Sequence, residues 1–218
     1  MSRPDFTPAD RTAIKGRPGR PLVCSEAERA TRIREAAEEV FATTGYGAAT
    51  MEEIAQAAGM SKKTVYSLYS NKLSLLVAVV TAARDFPWEH DEAPLADPLD
   101  ELRRRLLSIA AFILSSRQLR LTRLVISQAE RAPELADQFH KQVMTKSRRY
   151  VGAALERARQ DGQWAGPEDV EAATDMLIGA VLAELHISAL LGQTEPFDRE
   201  RMAARIDSAL RLFGLGAN

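Results

Sequence analysis

The sequence predicts an all-α protein in two unequal parts, and three observations carry that expectation. Apolar residues return at helical spacing in segment after segment, no stretch alternates with the two-residue period of a strand, and no internal repeat is present. A Pro-rich, acidic run near the middle, FPWEHDEAPLADP, tolerates no continuous helix and places a junction over residues 85–98.

The elements follow in order. Ser25 and Glu28 have the spacing of a capping box, and Ile33, Ala36, Ala37, Val40 and Phe41 then mark one face of a helix that Gly45 stops. Thr50 and Glu53 repeat the box before Ile54, Ala55 and Ala58, and Gly59 ends that short helix. Ser61 is a suitable N-cap for a third helix to about Leu68, with Val65 and Leu68 inward. Asn71 can cap a fourth that contains Leu73, Leu76, Val77 and Val80. Beyond the junction, Leu99, Leu102, Leu106, Ile109 and Ile113 define one helix, and Leu121, Leu124 and Val125 a second. Leu135 through Ala158 reads as one long third helix ending at Gly162. Gly166 and Pro167 start a further helix with Pro at its first position and the acids Glu168 and Asp169 at the positive end of its dipole, and a last helix runs from about Asp198 to Phe213.

Composition narrows the function. The 218 residues are 45% apolar, enough for a real core, and the single cysteine, Cys24, excludes an internal disulfide framework and a Cys-rich zinc site. With no charged start leading into an apolar stretch and no run approaching membrane-span length, the expectation is a soluble, cytoplasmic protein with no membrane partner. The net charge is only -1, but its distribution is uneven. Residues 1–23 hold five Lys/Arg against two Asp/Glu, among Pro4, Pro8, Pro18 and Pro21, and read as a basic arm that is disordered when free. An enzyme fares badly. His90, His140 and His186 stand far apart, no metal spacing, nucleophile elbow or phosphate loop is present, and no cofactor is expected; His186 reads as a hydrogen-bonded core histidine.

Two short helices around a Gly-containing turn fit a helix-turn-helix, whose second helix enters the major groove. Spacing alone also suits many helical bundles. The second helix, however, opens with Ser61, Lys62, Lys63 and Thr64 and continues to Tyr66, which clusters donors where base edges and phosphates lie. Here the stretch AAEEVFATTGYGAATMEEIAQAAGMSKKTVYSLYSNKLSLL resembles the DNA-binding domain of the TetR family of repressors, and the likeness spans residues 29–77. The resemblance implies that Thr50 and Lys72 anchor phosphates at the two ends of the motif, that Lys63, Thr64 and Tyr66 face the groove, and that Ile54, Ala55, Val65 and Tyr69 hold the three-helix core. Three positions depart from the family pattern: Leu68 stands where a His or Tyr often touches phosphate, Tyr69 where Phe is usual, and Lys63 where Gly is frequent. The Tyr69 ring is therefore expected to pack with its hydroxyl at an edge.

In the arm, Lys15-Gly-Arg-Pro-Gly-Arg-Pro21 reads equally as a solvated tail or as an AT-hook-like segment whose Arg17 and Arg20 insert into a narrow minor groove. The expected organisation is a basic arm over 1–24, a three-helix helix-turn-helix DNA-binding domain with its connecting helix over 25–84, and a helical ligand-binding and dimerisation domain over 99–218. In that last part the helix from about Glu168 to Leu191 is apolar on two faces. Val170, Ala173, Leu177, Val181 and Leu185 can fill its own core, whereas Met176, Ala180, Ala183, Ile187 and Leu190 need a partner. With Met202, Ile206 and Leu210 of the last helix they suggest a twofold homodimer interface; burial of both faces within one subunit is the alternative. The family's effector pocket lies among the helices after the junction, where Trp88, Phe112, Met144, Tyr150 and Met176 are large, adaptable candidates for lining it, equally suited to ordinary core. The expected partners are an operator duplex, a second copy and an unidentified small molecule. An architectural DNA protein that bends duplexes without a defined operator is the rival reading.

Overall fold

The computed structural model describes residues 25–82, 86–89, 93–193 and 197–216. Among these every regular element is helical: α1 (Glu26–Ala48), α2 (Met51–Ala57), α3 (Lys62–Leu68), α4 (Lys72–Val80), α5 (Pro98–Ile113), α6 (Ser116–Gln128), α7 (Pro133–Phe139), α8 (Lys146–Gln160), α9 (Val170–Leu190) and α10 (Arg199–Leu212). A 3₁₀ turn, Pro87–Glu89, stands in the junction, and a π-helical turn, His140–Thr145, joins α7 to α8.

The predicted caps form. Ser25 and Glu28, and Thr50 and Glu53, exchange both bonds of a capping box, and the Asn71 side chain accepts from Ser74 N at 2.8 Å. Gly45 breaks α1 with φ of 77°, after which one more turn reaches Ala48. Two expectations are corrected. The run from Leu135 to Ala158 is not uniformly α-helical, because its middle winds as the π turn that directs Val143 toward Phe86 and Phe112. Nor does Pro167 open α9, which begins at Val170 with Asp169 as its cap, accepting from Ala172 N at 2.9 Å. The cause is Trp164: its ring turns inward, its indole N–H donates to Phe213 O at 2.9 Å, and Gly166 lies against it so closely that a Cβ there would sit 1.9 Å from the ring. The chain wraps this ring before a helix can start.

Two apolar cores result. The first belongs to the α1–α4 head, with Ile33, Phe41, Ile54, Val65 and Leu76 at its centre, and it is completed by Leu121, Val125, Ala132 and Leu135 from α6 and the start of α7. The second lies among α5, α8, α9 and α10, around Leu106, Leu155, Leu177 and Ile206. Between them Phe86, Trp88 and Phe112 pack ring to ring, with centroids 4.9 to 5.8 Å apart. At 21 residues α9 is long and apolar enough to cross a membrane by length and composition, contrary to the sequence expectation. Its Ala173, Leu177, Val181 and Leu182 are buried in the second core, so much of that apolarity serves the fold.

The second core also encloses a charge pair. Glu101 is fully buried; it accepts from Arg104 Nη2 at 2.7 Å, from Leu95 N at 3.2 Å and from Arg105 Nε. Arg105 stacks on the Tyr150 ring at 4.6 Å and donates to Tyr150 O, tying α5 to α8. Burial alone would raise the Glu101 pKa, but the bonds from Arg104, Arg105 and Leu95 outweigh it and bring the carboxyl down to about 2. Because the folded value is depressed, the contribution, about 3 kcal/mol, is complete above the ordinary value near 4.5 and is lost as pH falls toward 2. Thermal melts should therefore show stability falling through that window. Glu101→Gln, which leaves Arg105 without its carboxylate, should be less stable at neutral pH by about 3–5 kcal/mol and should lack this part of the acid dependence. Equal acid slopes in the two proteins would refute the assignment.

Candidate nucleic-acid interface

The helix-turn-helix is set by its turn. After α2 the chain reverses at Gly59, whose φ of 65° lies in the left-handed region, while Met60 N bonds to Ala55 O at 2.9 Å. Ser61 then caps α3, accepting from Thr64 N at 3.1 Å, and its hydroxyl meets that of Thr64 at 2.9 Å. Fully buried Val65, packed with Ile54, Ala55 and Ala58, fixes the rotation of α3. The opposite side therefore faces outward. Lys62, Lys63, Tyr66 and Ser67 are exposed, with Tyr66 at 51%. Lys62 reaches back to Glu52 of α2 at 2.6 Å, so Lys63 and Tyr66 are the long side chains that project from this face. Thr64 is half-buried, and Leu68 packs partly against the head core.

Two arginines that sequence reasoning passed over hold this unit together. Arg32 Nη2 donates to Ala58 O at 3.3 Å, at the carboxyl end of α2 and beside Gly59. Arg34 Nη1 donates at 3.3 Å to the Tyr69 hydroxyl, which in turn donates to Ala30 O at 3.5 Å. Tyr69 thus packs its ring inside with its hydroxyl at an edge, as expected. The signal for the arginines was weak, because Arg at i and i+2 on an amphipathic helix ordinarily reads as solvated surface.

Lys72, expected at a phosphate, is engaged within the subunit in the absence of DNA. Its ammonium donates to Tyr46 O at 2.6 Å, Gly47 O at 3.1 Å and Ala49 O at 2.7 Å, and it sits 4.6 Å from the centroid of the Tyr46 ring, a phenol whose pKa burial raises. All three of its hydrogens are used on carbonyls at the end of α1. In this conformation Lys72 organises the α1–α2 connection and has no hydrogen left for a phosphate. Thr50, at the other end of the motif, is exposed but donates its hydroxyl to Glu53 at 2.9 Å. Arg17 and Arg20 lie outside the described residues, as do Cys24 and His90.

The other candidate residues divide. Trp88, Phe112 and Tyr150 gather around the aromatic cluster, with Trp88 and Tyr150 centroids 6.5 Å apart, but Met144 and Met176 lie on the surface at 44% and 67% exposure and do not join them. A separate cleft of about 640 Å³ opens between the end of α9 and the start of α10, where Leu114, Leu185, Phe197, Met202 and Arg205 are among its walls. On α9, Met176, Ala180, Ala183 and Ile187 are exposed along one face and Leu190 is half-buried. The α10 residues assigned to the same interface are corrected: Met202, Ile206 and Leu210 are at most 5% exposed and fill the subunit's own second core. His186, expected to be a hydrogen-bonded core histidine, is half-buried instead, which lowers its pKa, and its buried Nε2 has no hydrogen-bond partner.

A Gly-turned pair of short helices presenting Lys63 and Tyr66, on a helical body with its own core, defines a helix-turn-helix DNA-binding regulator. Residues 33–79 match the family described as bacterial regulatory proteins of the tetR family, and residues 100–215 match the AefR-like transcriptional repressor C-terminal domain. The chain belongs to the TetR family and is a DNA-binding transcriptional regulator. It is 28% identical over 202 residues to the Probable HTH-type transcriptional regulator ArpR of Pseudomonas putida, covering 84% of this chain and 95% of that one. Among solved structures, a TetR-family regulator from Mesorhizobium loti superposes with a TM-score of 0.75 at 23% identity, covering 86% of this chain and 96% of that chain. The Flavonoid-responsive Regulator FrrA superposes with a TM-score of 0.71 at 23% identity, over 86% and 95% of the two chains.

Replacing Lys72 by Ala should lower the melting temperature and weaken binding to specific and random duplexes alike. The slope of log affinity against log salt should not change, because no phosphate contact is lost. A slope reduced by about one would restore the phosphate role.

Proposed function

We propose that the chain is a ligand-responsive repressor that binds a near-palindromic operator as a homodimer in the cytoplasm. The observation that carries this reading is the apolar stripe on α9: Met176 and Ile187, 67% and 59% exposed, flank Ala180 and Ala183 on one face of a helix otherwise packed in the core. An exposed apolar face of this kind needs a partner, and small residues at its centre let two such helices approach closely. Twofold pairing places two copies of α3 on one side of a duplex, ideally about 34–36 Å apart, which calls for inverted half-sites.

In this reading residues 25–84 bind DNA, 85–98 are the junction, and 99–218 dimerise and respond to an effector. Lys63, Thr64 and Tyr66 face the groove, while Ser61, Lys62 and Thr50 lie along the backbone. Arg17 and Arg20 extend the contact into a flanking A·T-rich minor groove. The match of residues 100–215 to a repressor C-terminal domain supports repression, and the flavonoid response in the name of FrrA supports a small-molecule effector; its site in this reading is near Trp88, Phe112 and Tyr150.

Selection from a random duplex pool at stated salt, with the full chain and with a form starting at Ser25, tests the operator reading. The expected result is a palindrome preferred over random duplex by about 10³-fold or more, with flanking A·T preference lost in the short form. Tyr66→Ala and Lys63→Ala should change which sequence is recovered. Equal affinity for every duplex would favour an architectural protein instead. Separately, Ile187→Asp should convert a dimer to monomer in sedimentation and abolish operator binding while the isolated subunit still melts cooperatively; an unchanged sedimentation coefficient would refute the α9 interface.

A further inference from the structure

We propose that Glu38 and Arg117 form a strut that fixes the angle of the helix-turn-helix head on the regulatory body and so sets the half-site separation the dimer accepts. The proposal rests on the dimeric reading above. Glu38 lies midway along α1, and Arg117 lies in the first turn of α6. Arg117 donates to Glu38 Oε2 from both Nε, at 3.1 Å, and Nη2, at 2.9 Å. The two side chains are 23% and 20% exposed, so water screens the pair only in part.

The head also meets the body through apolar contact, in which Leu75, Leu76, Val79 and Val80 of α4 share a core with Leu121, Val125, Ala132 and Leu135. Apolar contact is strong but non-directional, so it specifies the angle of the head less sharply than a hydrogen-bonded pair does. A guanidinium donating two hydrogens to one carboxylate oxygen is directional. Placed on α1, away from the α4 patch, it supplies a second point of attachment, and two points fix an angle that one does not. Glu35, three residues earlier on α1, adds a second carboxylate on the same face as Glu38. Neither Glu38 nor Arg117 belongs to the α3 face that meets DNA, so both are positioning residues.

The test titrates the full-length protein against duplexes in which the two selected half-sites are separated by the native spacer or by one or two base pairs more or fewer. The wild-type chain should show one preferred spacing. Arg117→Glu should reduce that preference about fivefold or more, with the slope of affinity against salt unchanged, and Glu38→Arg combined with Arg117→Glu should restore it. An Arg117→Glu profile as sharp as wild type, with or without a uniform loss of affinity, overturns the strut, as does a well-folded reversed pair that fails to restore the peak. If Arg117→Glu alone does not fold, Arg117→Gln is read in its place. A flat wild-type profile overturns the dimeric reading itself, which separates the two failures.

Discussion

The head cannot close its own core, and that constraint shapes the rest of the molecule. Residues 25–80 form a unit of a size at which burial barely offsets chain entropy, since domains of roughly 60 residues are marginal alone. Here the deficit is met by Leu121, Val125, Ala132 and fully buried Leu135, which enter from α6 and the start of α7 and pack with Leu75, Leu76 and Val79. The DNA-reading part is therefore stabilised by the helical body behind it. A helix shift in the body cannot leave the head indifferent, because the same side chains belong to both.

The aromatic cluster continues this linkage toward the second core. Phe139 packs on both the head core and the cluster of Phe86, Phe112 and Val143, while Trp88 packs on both that cluster and the second core. The π turn at His140–Thr145 lies between α7 and α8, where one extra residue per turn re-aims the following helix. Close-packed side chains of this kind shift between discrete arrangements and do not deform continuously. One route from cluster to head thus runs through the short helix α7, whose Leu135 lies in the head core and whose Phe139 packs on both the head core and the cluster.

Much of this was legible in the sequence because it is local. Capping boxes at Ser25 and Thr50, the caps at Ser61 and Asn71, and the glycine after α2 are written within three or four residues of one another, and they appear where expected. What was not legible depends on distant partners. The apolar spacing of α10 showed that Met202, Ile206 and Leu210 share a face, but a stripe looks the same whether it meets its own subunit or another. Lys72 carries the charge a phosphate contact needs, yet the loop end that consumes its hydrogens is more than twenty residues earlier. Glu101 and Arg105, four apart beside an apolar stripe, read as an ordinary solvated pair until α8 covers them with Tyr150. Trp164 likewise delays α9 through a bond to Phe213 that no local pattern announces.

The three carbonyl bonds of Lys72 bear on how the head resists distortion. A lysine held by carbonyls of Tyr46, Gly47 and Ala49 locks the start of α4 to the end of α1, the same helix that carries Glu38 toward Arg117. Arg32 and Arg34 tie α1 to the end of α2 and to Tyr69 after α3. Each element of the head is thus fastened to α1 by a directional bond as well as by apolar contact. A rigid head turns a small rotation at its attachment into a displacement of α3 without altering the face that α3 presents. Effector couplings of about 1–3 kcal/mol are small beside the stability of a folded domain, and they suffice only where the motion they drive deforms nothing inside the moving part. The bonds to α1 meet that condition.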